Sequence, residues 1–338
     1  MTTTPLYRPL SLLLLTAALA GCDDPYADRD DSHAEDEDED AAFRSSCPKC
    51  QFNSTKVNSF PIPSLDLTGT RDAHGVAVRG LRDPDGDFFT LGVLGEELAA
   101  YDHGELVASG EKLFSWEIVL DGGGGELVLR IVGHKQQASW AKDGAPVSLY
   151  GLVGTIDGKP LDAACPDPEF GASAVTIVHG ETYDGERKAL DQVGDQWITL
   201  ACVDQAAYKV KRLGYGPHGN QGPGGKPASP EQRVATLKMV TADYCGTGQS
   251  FTVDDARVYF RNKAASLTFA PIGHLTSVEA HWDAKGALCF DYARTVRRKD
   301  ILDVCQIPDC KVLADQLPPH WEWKTLLPHQ NTFSSKLK

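Results

Sequence analysis

The sequence predicts an α+β chain, in which a strand-rich N-terminal sandwich or barrel is followed by a disulfide-stapled α+β domain. Three observations lead there. Short β-favouring runs broken by Gly, Asp and Pro fill residues 57–162. Two Met against 32 Gly and 20 Pro fit loops and strands better than a helical bundle. Nine cysteines become an even set of bridge candidates once one is assigned elsewhere.

That one is Cys22. Residues 1–21 read as a lipoprotein signal peptide: Arg8 supplies the positive n-region, Leu12 to Ala20 the apolar run, and Leu19-Ala20-Gly21-Cys22 a lipobox. The run is shorter than the about 20 apolar residues that span a bilayer. Lipidation of Cys22 is therefore expected, with several acyl chains holding an exported protein to the bacterial cell envelope, on its periplasmic face or at the cell surface. The alternative is an ordinary soluble-secretion signal that happens to end in Gly-Cys.

Residues 22–46 follow as an acidic tether. Between Asp23 and Ala42 stand eleven acidic side chains against Arg29, which accounts for most of the net charge of −14. Such a tract buries too little apolar surface to offset ordering entropy, and its like charges keep it extended. It lacks the ligand spacing and turn glycine of a calcium loop. The remaining chain is nearly balanced and has no basic face, so no nucleic-acid partner is expected.

A strand-rich domain is placed at 47–168. Phe114 to Leu120 and Glu126 to Val132 flank Gly122 to Gly125 and read as a hairpin. Glycines followed by strand rather than helix are not a phosphate cradle. A second domain is placed at 169–315, and 316–338 is read as a C-terminal tail. The second domain opens with strands at Ala174 to Val178 and Trp197 to Ala201. A helix through Ala206 to Leu213 stops at Gly214, and a Gly/Pro-rich loop runs to Pro227. Ser229-Pro230-Glu231-Gln232 then predicts a capped helix start, with an apolar stripe through Val234, Leu237, Val240 and Tyr244 and a stop at Gly246. Strands at Val278 to Trp282 and Ala287 to Tyr292 form a hairpin.

The tetrapeptide Ala242-Asp243-Tyr244-Cys245, with Thr199-Leu200-Ala201-Cys202, Leu213-Gly214-Tyr215 and the Trp282 to Cys289 hairpin, resembles the ADYC domain, found mainly in exported proteins of myxobacteria and their relatives. The resemblance covers about residues 170–312. It implies no particular reaction, and it implies that Cys245 is structural. The family pattern often carries cysteines at positions that here are Val210 and Thr236; losing both together would delete one bridge and keep the count even.

Cys47, Cys50, Cys165, Cys202, Cys245, Cys289, Cys305 and Cys310 are the disulfide candidates, and eight cysteines allow 105 connectivities. The expected pairs are Cys47 with Cys50, Cys165 with Cys202, Cys245 with Cys289, and Cys305 with Cys310. Cys47-Pro48-Lys49-Cys50 has the spacing of a redox dithiol or half a zinc site, but lacks the strand-to-helix context of the first and the further ligands of the second. The rival role for Cys245 is a nucleophile helped by His274 or His281. A helix C-terminus disfavours a thiolate, which argues for the bridge.

The ten histidines show no zinc-protease spacing, and no Gly-x-Ser-x-Gly elbow occurs. No cofactor or metal is expected. Trp321-Glu322-Trp323 is the most exposed candidate for sugar stacking. The functional expectation is a membrane-anchored envelope lipoprotein acting as a non-catalytic binding or structural module for an envelope protein or glycan. Its contact surface is placed on the Gly214 to Pro227 loop. The alternative is an envelope hydrolase with a site near Asp243.

Overall fold

The computed structural model describes residues 53–72, 75–141, 144–218, 227–254, 256, 258–262, 267–268, 276–313 and 324–328. Cys22, Cys47, Cys50, His274, the acidic tether, Trp321 to Trp323 and positions 219–226 of the Gly/Pro-rich loop lie outside them.

Twelve strands form one antiparallel sheet. They are β1 (Ser64–Asp66), β2 (Ala77–Arg82), β3 (Phe88–Leu94), β4 (Glu97–Asp102), β5 (Glu105–Ser109), β6 (Glu117–Asp121), β7 (Glu126–Gln137), β8 (Val147–Ile156), β9 (Lys159–Pro160), β10 (Pro166–Asp167), β11 (Ala172–Asp184) and β12 (Ala189–Cys202). The path runs β1-β12-β11-β8-β7-β6-β2-β3-β4-β5, with β9 on β8 and β10 on β11. Alternate residues such as Ile118 and Leu120, Leu127, Leu129 and Ile131, or Val175 and Ile177 point into one apolar cluster. Leu65 of β1 and Ala108 of β5 join the same cluster. Both ends of the path thus share one core, and the sheet curls around it. The β6–β7 hairpin pairs Asp121 with Glu126 across the glycines, as expected.

β8, β11 and β12 are buried on their other face too, through Leu149, Ala174, Thr176, Val178 and Thr199. Two helices pack against β11 and β12: α1 (Ala206–Val210) and α2 (Pro230–Thr241). The first amides of α1 have no side-chain cap; Ala206 N–H and Ala207 N–H donate to the carbonyls of Lys56 and Val57. Asn58 ties the same N-terminal segment to β12, donating to Leu200 O at 2.8 Å and accepting from Cys202 N at 3.1 Å. α1 passes into a π-helical turn, Lys211–Tyr215, where Gly214 takes φ 85° and ends the helical path. Val210 and Thr236 are both fully buried.

A second sheet has the order β14-β13-β17-β15-β16. Its strands are β13 (Tyr259–Asn262), β14 (Leu267–Thr268), β15 (Thr276–Asp283), β16 (Gly286–Phe290) and β17 (Lys324–Pro328). Two short helices, α3 (Arg298–Leu302) and α4 (Cys310–Leu313), follow β16.

Described strands pair across two of the sequence-based boundaries. Position 168 falls between β10 and β11, which pair with each other, and Cys47–Lys338 clusters as one compact unit. The regions 47–168 and 169–315 therefore share one sheet. Residues 316–338 are not simply a tail, because β17 lies between β13 and β15 and buries Thr325, Leu326 and Leu327.

Three described disulfides join Cys165 to Cys202, Cys245 to Cys305 and Cys289 to Cys310. The first matches the expected pair. The pairs Cys245–Cys289 and Cys305–Cys310 are corrected, and hydrogen bonding gives the reason. Tyr244 O accepts from Ala287 N at 2.8 Å, which sets the tetrapeptide against the start of β16 rather than against Cys289. Phe290 N donates to Pro308 O, and Cys310 N donates to Asp291 Oδ1. The 308–310 segment thus runs beside the end of β16 and brings Cys310 to Cys289, leaving Cys305 at the end of α3 to meet Cys245.

Candidate functional site

The tetrapeptide is built from the C-terminus of α2 outward. Ser229 opens that helix with a capping box: its hydroxyl accepts from Gln232 N, while Gln232 Oε1 accepts from Ser229 N. The expected one-sided apolar stripe is not what the helix shows. Residues 235–241, Lys238 among them, are all buried, and so is Arg233, because α2 is enclosed by neighbouring strands and turns on several sides.

The helix also stops earlier than Gly246. Ala242 takes a left-handed conformation (φ 51°, ψ 43°), and Asp243 N donates to Lys238 O at 3.0 Å, closing the helix end by a six-to-one bond. Asp243, Tyr244 and Cys245 consequently stand in the turn beyond the helix. Gly246 and Gly248 are required there by space: an added Cβ would lie 1.8 Å from Lys285 O and 1.8 Å from Glu186 O respectively. Both glycines let this turn press directly on the backbones of two hairpin turns, β15–β16 and β11–β12.

Asp243 Oδ2, the Tyr244 hydroxyl and the Cys245 sulfur each have an internal partner, while the buried Asp243 Oδ1 accepts no hydrogen bond from the described residues. Asp243 Oδ2 lies 2.6 Å from Lys238 Nζ and accepts from Gly248 N at 2.8 Å. Lys238 Nζ also donates to Arg187 O at 2.5 Å and Gly246 O at 3.3 Å, so all three ammonium hydrogens have acceptors. Lys188 Nζ donates to Gly248 O from the adjacent turn. Burial holds the Lys188 ammonium below its ordinary pKa, against the pull of the Asp243 charge.

Tyr244 is 1% exposed and stacks on Trp282, with centroids 5.0 Å apart, while Phe290 and Phe251 close its other sides. Its hydroxyl donates to Glu279 Oε1. Burial first, then the charge of Glu279, pushes this hydroxyl well above the usual tyrosine range, so it remains a donor. Arg294 Nε meets Glu279 Oε1 at 2.6 Å, and its other nitrogens donate to Val240 O at 3.1 Å and Met239 O at 2.5 Å. Arg294 thereby caps the last carbonyls of α2. At the other end of the helix, Arg233 Nε meets the buried Glu181 Oε2 at 2.6 Å, and Tyr183 donates to Glu181 as well. Burial pushes the Glu181 carboxyl up, with Arg233 opposing.

This arrangement holds a helix between two hairpins; it presents no reactive group. Cys245 is in a disulfide and has no thiolate to offer. Asp243 is fully buried with a lysine and a backbone amide as its hydrogen-bond partners. His281, Cys289 and Cys310 cluster closely enough for a metal, but both thiols are joined to each other. Trp116, Trp140 and Trp282 are buried and make no exposed sugar platform. The sequence signals for Glu279 and Arg294 were weak: isolated charges on a strand and in a loop read as surface residues.

Open concavities lie elsewhere. One of about 540 Å³ is lined by Arg82, Phe114 and Arg130, with Phe114 58% exposed. Arg82 is already engaged there by Glu117 at 2.7 Å.

Comparison with curated proteins and with solved structures returned no match. The ADYC domain model matches residues 110–296. The match begins well before the expected limit near 170 and takes in most of the curled sheet from the turn before β6 onward. Cys305 and Cys310 lie past its C-terminal limit. With the tetrapeptide at 242–245 and a match over more than half its length, the chain belongs to the ADYC domain family.

Proposed function

We propose that the protein is an exported lipoprotein, anchored to the cell envelope through Cys22, whose folded part is a non-catalytic binding or structural module for an envelope protein or glycan. The observation that carries the non-catalytic part is the engagement of Asp243, Tyr244 and Cys245 inside the fold, with Lys238, Glu279 and Cys305 as their partners. The lipobox carries the anchor, and three disulfides among the described residues accord with an oxidising compartment. Against a hydrolytic site at Asp243 stands its burial: a carboxylate enclosed and paired to lysine cannot reach a substrate without breaking the helix end. The contact surface is assigned to the Gly214 to Pro227 loop from its Gly/Pro-rich sequence, with Gly214 and Tyr215 themselves buried in the π-helical turn.

Cys22→Ala tests the anchor in a bacterial host. The parent protein is expected to incorporate labelled fatty acid and enter the detergent phase, and the variant to lose the label and remain aqueous. Equal detergent partition of the two, or a parent without label, overturns the lipoprotein reading.

A further inference from the structure

We propose that His179, Asp195 and His218 form a binding site for a divalent transition-metal ion of the zinc, copper or nickel class. One ligand atom from each residue lies within 4.8 Å of the other two. The two imidazole rings have centroids 4.7 Å apart, inclined at 28°. Two imidazoles bound to one ion at about 2.0–2.1 Å, with roughly 90–110° between the bonds, hold their centroids about 4.5–5 Å apart. The spacing is that of ligation, but the rings lie stacked, so the exposed His218 ring must turn to aim its lone pair at the ion. Neutral imidazoles can also stack at this distance, so the case rests on what surrounds them.

The backbone is shaped at this point. The β11–β12 register shifts between His179 and Glu181, with Gly180 at φ 93° and Gly194 at φ 152°. Bulges re-aim side chains, and this one brings His179 next to Asp195. His179 Nε2 lies 2.9 Å from Asp195 O. A carbonyl only accepts, so Nε2 carries the proton and the lone pair is on Nδ1. Ligating histidines are commonly oriented by such a bond from the other ring nitrogen. Gly180 also makes room for the third residue: a Cβ there would lie 3.0 Å from His218 Nε2 and 3.6 Å from Pro217 Cβ.

Two imidazoles and a carboxylate suit zinc, copper or nickel better than magnesium or calcium. Three protein ligands leave a position for water or an outside donor. Asp195 and His218 are exposed and His179 is half-buried, so an ion can enter from solvent. His218 follows three residues after the π-helical turn Lys211–Tyr215, and a bound ion would tie it to β11. The inference does not depend on the anchor or on the envelope role.

The test uses the full chain with its disulfides intact, stripped with a chelator and titrated with Zn²⁺ alone. The acidic tract and other surface carboxylates add weak sites, so the readout is the difference between parent and variants. The parent should bind one equivalent more than His218→Ala, with micromolar affinity, and Asp195→Asn should weaken that equivalent at least about tenfold. Cu²⁺ in the parent should show electron-spin coupling to two imidazole nitrogens, reduced to one in His218→Ala. His218 is exposed, so that variant is expected to keep the parent's circular dichroism even if His179→Ala fails to fold. Equal stoichiometry and affinity in parent and His218→Ala, or a copper spectrum unchanged by that substitution, overturns the proposal.

Discussion

Arg294→Met is expected to lower the unfolding free energy by about 3–5 kcal/mol, the range for removing one partner of a buried ion pair. Both side chains of the Arg294–Glu279 pair are fully buried. Without the guanidinium, Glu279 retains the Tyr244 hydroxyl as the described donor to its carboxylate, Val240 O loses its Arg294 donor, and Met239 O keeps only the longer bond from Ala242 N at 3.4 Å. Urea unfolding with the disulfides intact measures the loss. The double variant Glu279→Leu, Arg294→Met should lose less than the sum of its single changes, because an apolar pair leaves no charge stranded. A loss under about 1 kcal/mol for Arg294→Met would place the pair among surface salt bridges and contradict the geometry.

Asp243→Ala should have a comparable effect, about 3–5 kcal/mol. The substitution strands Lys238, whose side chain is 3% exposed, with two backbone carbonyls in place of its counter-ion. It also leaves Gly248 N without its acceptor. Asp243→Asn keeps an oxygen for Gly248 but not the charge, and should fall between the alanine variant and the parent. The paired change Lys238→Met, Asp243→Leu removes both charges and should recover part of the loss. A catalytic Asp243 predicts the opposite pattern: an asparagine variant as stable as the parent.

Local pattern made much of the fold legible. Period-two alternation and the glycine turn between Leu120 and Glu126 gave the β6–β7 hairpin, and Ser229-Pro230 with Gln232 gave the start of α2. The β4–β5 hairpin passed unnoticed because Ala99 and Ala100 are poor strand formers and His103-Gly104 lies in a short turn. The buried helix face was misread for a different reason. Arg233 and Lys238 look like solvent residues in sequence, and only long-range partners, Glu181 from β11 and the turn beyond α2, make their burial possible. β17 was read as part of a tail because five residues ending in a proline carry little signal without their neighbours β13 and β15.

The candidate site divides along the same line. The tetrapeptide stood out in the sequence, and its cysteine was rightly read as bridged, but the partner was not Cys289. Connectivity depends on which backbone runs beside β16, a tertiary fact that spacing does not encode. His179, Asp195 and His218 had no motif at all, since a bulge in paired strands and a turn after α1 bring them together.

The central claim is that Asp243, Tyr244 and Cys245 hold α2 between two hairpins and do not perform chemistry. Peptide mapping of the non-reduced protein by mass spectrometry tests it most directly. The account predicts linked peptides joining Cys245 to Cys305 and Cys289 to Cys310, with Cys165 joined to Cys202. A free, alkylatable Cys245 in the folded, oxidised protein would contradict it.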